Sequence, residues 1–169
     1  MIFPTFLSRC SGIHGDELKR MLREGFEIGY RMADTASGYG NEEEIGDATA
    51  EFEEAGGEAV FLVTKIHPED FPRVEEIASR SFSRLRRRID LYLLHKPGSD
   101  EANVRVWRTL ERFVDEGKIR YLGVSNFDLR QLEALRAAAR VPISAVESIY
   151  SPFHPGYSHD AVGSDLRRY

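Results

Sequence analysis

The chain has 169 residues, 41% hydrophobic and 30% charged, with 28 acidic against 23 basic side chains and a net charge of -5. That describes one ordinary globular domain. Charge is too frequent, and apolar runs are too short, for a membrane span of about 20 residues, and no basic stripe offers itself to nucleic acid. The opening MIFPTFLSRC lacks the longer apolar stretch and small-residue cleavage site of a secretory signal. The single cysteine, Cys10, cannot form an internal disulfide, so a reducing, cytoplasmic setting is expected.

In chain order, residues 1–7 read as a short strand, weakened by Pro4. Asp16 opens a helix with Leu18, Met21, Leu22 and Phe26 on one face, closed at Gly29. A strand over 30–35 follows. Asn41 with Glu44 reads as a capping box opening a second helix, which Gly56-Gly57 closes. The apolar run 59–65 reads as a strand buried on both faces. Residues 70–88 carry Val74, Ile77, Ala78, Phe82 and Leu85 at helical spacing, and 89–95 is another apolar strand. A helix over 101–116 presents Val104, Trp107, Leu110 and Val114 and stops at Gly117. A strand over 118–125, a helix capped by Asp128, and an extended segment over 143–150 complete the series.

About six strands thus alternate with five helices through short loops, which implies a parallel sheet with right-handed crossovers. The expected organisation is one α/β domain over 1–152 and a polar, turn-rich surface tail over 153–169.

In parallel α/β folds, ligands bind beyond the carboxyl ends of the strands. The polar residues that end the apolar runs are therefore the candidates. They are Asp34, with Tyr39 in the following loop, then Lys65, His95, Ser125-Asn126 and Glu147. Burying such groups is costly unless they pair. If the sheet curves, Asp34, Tyr39, Lys65 and His95 share one pocket. A free tyrosine is too weak an acid at neutral pH; a neighbouring ammonium favours its phenolate, and a carboxylate would hold that ammonium in place. His95 could donate a hydrogen bond to a substrate carbonyl or relay a proton. The chemistry this points to is protonation of an oxygen as negative charge develops on it. Read alone, Lys65 and Asp34 fit a purely structural ion pair equally well.

The blocks GYRMADTASGYGNEEEIG, LVTK, DLYLLHKP, GKIRYLGVSNF and AVESIYSPF, in that order and spacing over roughly residues 25 to 153, resemble the aldo-keto reductase family. The resemblance implies a (β/α)8 TIM barrel, NADPH as cofactor and a small-molecule aldehyde or ketone as substrate. It makes Tyr39 the general acid, Lys65 and Asp34 the groups that tune it, and His95 the group that orients the carbonyl. It places Ser125 and Asn126 on the nicotinamide carboxamide, with Asp34 counted in the same cofactor-contacting set. Glu147 stands where the family most often has a glutamine; a carboxylate can accept from the amide N–H but cannot donate to its carbonyl.

A complete barrel of this kind takes about 250 residues, and the family's seventh and eighth strands, with their adenosine-phosphate contacts, have no counterpart block here. The expectation is therefore an incomplete barrel of about six strands, C-terminally truncated. The chain is then a fragment, a partner of a second chain or copy that covers the open edge, or a non-redox regulatory or assembly relative. The remaining features read plainly. His14, His67, His154 and His159 are surface histidines rather than metal ligands. Cys10 is a small apolar residue. The 42–44 glutamates and the RLRRR run complement helix dipoles. Trp107 is packing. Lys96 either biases the pocket toward anionic substrates or points to solvent.

Overall fold

The computed structural model describes residues 10–148. The strand expected over 1–7 and the tail over 153–169 lie outside the described residues. Within them, α1 (Gly15–Glu27), β1 (Met32–Asp34), α2 (Glu42–Glu54), β2 (Phe61–Ile66), α3 (Val74–Leu85), β3 (Ile89–Leu94), α4 (Asp100–Asp115), β4 (Ile119–Ser125), α5 (Leu129–Ala138) and β5 (Ile143–Glu147) follow in order. All four strand pairings are parallel and sequential, giving a sheet of order β1-β2-β3-β4-β5. This is the strand–helix repeat of an incomplete α/β barrel, as the alternating periodicity implies.

The sheet has two unlike faces. Leu62, Thr64, Ile66, Tyr92, Leu94, Leu122 and Val124 are almost fully buried. The apolar members of that set join Leu18, Leu22, Phe26, Ile45, Ile77, Trp107, Leu110 and Leu135 from the helices in one core. Each fully buried Leu or Ile there contributes about 1.5–3 kcal/mol relative to exposure. The opposite face holds a smaller cluster of Met32, Val63, Leu91 and Leu93, flanked by Phe61, Tyr121 and Ala145. Continuing that face two residues along each strand reaches Asp34, Lys65, His95, Ser125 and Glu147. The period of two along a strand therefore delivers these five groups to the same side.

Two helix starts differ from expectation. Asn41 does not cap α2 with its side chain. It donates instead to the carbonyls of Cys10 at 2.6 Å and Ile13 at 3.1 Å and accepts from the Thr35 hydroxyl at 2.6 Å. A capping box does form at α5, between Asp128 and Gln131. The helix expected over 70–88 is a 3-10 segment over Pro68–Arg73 followed by α3, which ends at Leu85. Pro72 has no N–H for an α-helical bond, so an α-helix starts cleanly only after it.

Helices α2 and α3 touch at Gly46, where an added Cβ would lie 2.4 Å from the Arg84 carbonyl oxygen and 3.0 Å from Leu85 Cα. Both are backbone atoms and cannot swing aside. Gly46→Ala is expected to cost about 1–3 kcal/mol, read as a thermal midpoint lower by roughly 5 °C.

Candidate active site

Asp34 ends β1, and its register partner on β2 is Val63, so Lys65 starts two residues nearer the carboxyl edge. Lys65 is completely buried and reaches back to Asp34, Nζ to Oδ1 2.5 Å, and to the Thr35 carbonyl oxygen at 3.2 Å. Glu147, on β5, brings Oε2 to 3.4 Å from the same Nζ. An ammonium has three donors, and these three oxygens surround it. A buried ammonium is tolerable only with such partners, because its desolvation alone costs several kcal/mol.

Tyr39 closes a 3-10 turn, Ser37–Tyr39, that leaves the end of β1. The turn is pinned to β2 by the Ser37 hydroxyl donating to the Lys65 carbonyl at 3.0 Å. Asn41, by tying Thr35 to Cys10 and Ile13, braces it from behind. The Tyr39 hydroxyl lies 3.3 Å from His95 Nε2, with the two rings edge-on at 77°. Lys65 Nζ is 5.9 Å from the Tyr39 ring centroid, within cation–π range.

His95 extends the β2–β3 ladder by one step, its N–H donating to the Ile66 carbonyl at 2.9 Å. Asn126 donates from Nδ2 to the His95 carbonyl at 3.1 Å and to Ser125 Oγ at 2.8 Å. Ser125 Oγ in turn lies 3.4 Å from Glu147 Oε1, and the Asn126 N–H donates to the Glu147 carbonyl at 2.9 Å. Asn126 has a φ of +61°, a left-handed conformation that asparagine tolerates better than most residues. All seven sequence candidates thus stand in one connected cluster at the carboxyl ends of the strands.

Cys10 is buried beside this cluster. Burial, with the Asp34 carboxylate next, pushes its thiol up to about 11, so it stays a neutral apolar group as its composition suggested. Tyr92 illustrates the other face of the sheet: it is fully buried toward the helices, and burial, with Glu42 next, pushes its phenol well above the usual range. Tyr39, by contrast, is half-buried at the mouth of the site.

Three residues depart from their expected surroundings. His67 is half-buried with its ring 5.9 Å from that of His95 and perpendicular to it. Glu42 does not lie on a solvated helix start. It is buried, accepts from the Thr64 hydroxyl at 2.8 Å and lies 3.8 Å from Arg84. Asn41 is the brace described above. For Asn41 and Glu42, the polar pattern at a helix start is the same for a solvated cap and a buried brace. Lys96 is exposed, and Trp107 is packed in the helix-side core with Nε1 donating to the Val141 carbonyl at 3.2 Å.

The fold and this constellation are those of an incomplete α/β barrel with ionisable groups gathered at the carboxyl ends of its strands. The description "Aldo/keto reductase family" matches the chain over residues 7–166, and the chain belongs to that family. Among curated relatives, it is 37% identical over 147 residues to the glyoxal reductase of Bacillus subtilis, covering 84% of this chain and 51% of that protein. It is 34% identical over 122 residues to the methylglyoxal reductase DkgA of Escherichia coli, covering 71% and 44%. Among solved structures, an aldo-keto reductase from Bombyx mori in complex with NADP superposes with a TM-score of 0.79 at 25% identity, covering 90% of this chain and 54% of that one. The chain spans about half the length of the curated relatives it matches. Among the described residues, no helix is long and apolar enough to cross a membrane.

Proposed function

We propose that this chain carries the carbonyl-reducing centre of an NADPH-dependent oxidoreductase acting on small aldehydes or ketones in the cytoplasm. The observation that carries the proposal is the Tyr39 hydroxyl at 3.3 Å from His95 Nε2, backed by the buried Lys65–Asp34 pair. A carbonyl oxygen seated between the phenol and the imidazole meets two polar groups at hydrogen-bonding distance. As charge develops on that oxygen, Tyr39 delivers its proton. The Lys65 ammonium near its ring stabilises the phenolate left behind, and Asp34 keeps Lys65 fixed. His95 orients the carbonyl; Asn126, bound to the His95 carbonyl, fixes that segment.

The residues at the mouth fit a nicotinamide. Its carboxamide has one acceptor and two donors. Ser125 and Asn126 bring a hydroxyl and an amide, and Glu147, with a side chain about one-third exposed at 32%, brings an acceptor. The cofactor, when bound, supplies the hydride. Two relatives are named for glyoxal and methylglyoxal, which makes small dicarbonyls the first substrates to try.

Fluorescence titration of the chain with NADPH is expected to show saturable micromolar binding. Replacing Ser125 with alanine and Asn126 with glycine, which accepts the positive φ, is expected to remove it while circular dichroism stays unchanged. No binding by the unaltered chain up to millimolar nucleotide overturns the proposal.

A further inference from the structure

Asp34 and Lys65 form a neutral pair at 2.5 Å. Glu147 is the additional carboxylate, 3.4 Å from Lys65 Nζ and 3.4 Å from Ser125 Oγ, and its side chain is 32% exposed where the pair is not. The cluster therefore carries one net negative charge, directed at the mouth. Ionisable groups nearby among the described residues include Cys10, Tyr39, His95, His67 and Glu69. Cys10 is held as a neutral thiol. His95 and His67 stack edge to face, and Glu69, 3.7 Å from His67, is almost fully exposed and screened by solvent.

We propose that Glu147 makes this site discriminate between the two oxidation states of a nicotinamide, favouring the cationic oxidised ring over the neutral reduced one. The inference rests on the reductase reading above. The Ser125 hydroxyl that would hold the carboxamide lies 3.4 Å from Glu147 Oε1, so a ring anchored there stands beside the Glu147 carboxylate. At an effective dielectric of about 20–40, a unit charge about 8 Å away changes relative affinity by about 5- to 30-fold. Glu147 is partly solvated, which places the effect toward the lower end. The two nucleotide forms carry the same phosphates, so their affinity ratio isolates the ring charge. The same charge assists reduction, because the ring becomes positive as hydride leaves it.

The test is calorimetric titration of the chain with NADP+ and, separately, NADPH, repeated with Glu147→Gln, which keeps the shape and removes the charge. The preference for NADP+ over NADPH is expected to fall about fivefold or more in Glu147→Gln. Equal weakening of both forms assigns Glu147 a contact or packing role only and overturns the inference, as does a ratio that is unchanged or moves the other way. In those cases nucleotide still binds, so the reductase reading stands. Failure of the unaltered chain to bind either form overturns both. Should Glu147→Gln not fold, Glu147→Ala must show the same fall in the ratio.

Discussion

Replacing Tyr39 with phenylalanine is expected to lower carbonyl reduction by about 10²–10⁴-fold, the usual weight of a positioned general acid, while leaving NADPH affinity nearly unchanged. Phenylalanine keeps the ring that packs edge-on against His95 with centroids 5.6 Å apart. It removes only the hydroxyl that lies 3.3 Å from Nε2. The substitution therefore separates proton delivery from architecture. Steady-state rates with a small dicarbonyl, paired with a nucleotide titration, make the measurement. Turnover retained at the level of the unaltered chain would assign the proton to another group and leave Tyr39 as wall material.

Asp34→Ala is expected to be the most destabilising of the single changes at the site, by about 3–5 kcal/mol. It strips Lys65, which has no exposed surface, of its 2.5 Å partner. The Thr35 carbonyl at 3.2 Å and Glu147 at 3.4 Å remain, and their longer contacts recover only part of the loss. Chemical denaturation reads the effect directly. The double change Asp34→Leu with Lys65→Met, which removes both charges together, is expected to recover most of the stability and none of the chemistry. A single-variant cost below about 1 kcal/mol would show that Glu147, not Asp34, is the main counter-ion.

Much of this architecture was legible before any coordinates. The switch between period-two apolar runs and helical spacing located five of the expected strands and all five helices, within a few residues at most ends. The polar residues that end the apolar runs, with Tyr39 in the loop after the second, gave the seven site candidates, and the structure brings all seven into one cluster. Where the reading failed, the failures share a cause. Asn41 and Glu44 satisfy the pattern of a capping box, and residues 42–44 satisfy the pattern of a charged helix start, yet Asn41 braces the Tyr39 loop and Glu42 is buried against Thr64. Local pattern records which polar groups are available. It does not record whether water or another strand will satisfy them. His67 keeps about a third of its side chain exposed at 34%, but nothing in its neighbourhood along the chain announces the His95 ring on the next strand end.

The sequence by itself determined the alternation of elements, the parallel sheet and the chemical types at the strand ends, because these follow from short-range periodicity and from residue identity. Only the tertiary structure decided which groups meet. Register places Lys65 between the carboxylates of Asp34 and Glu147, four strands apart in the sheet order. The bulge between Leu122 and Gly123 sets the phase that brings Ser125 opposite Glu147. Those distances are fixed by strand pairing and sheet curvature, which are long-range properties, and a charge 3.4 Å from an ammonium acts quite differently from the same charge in solvent.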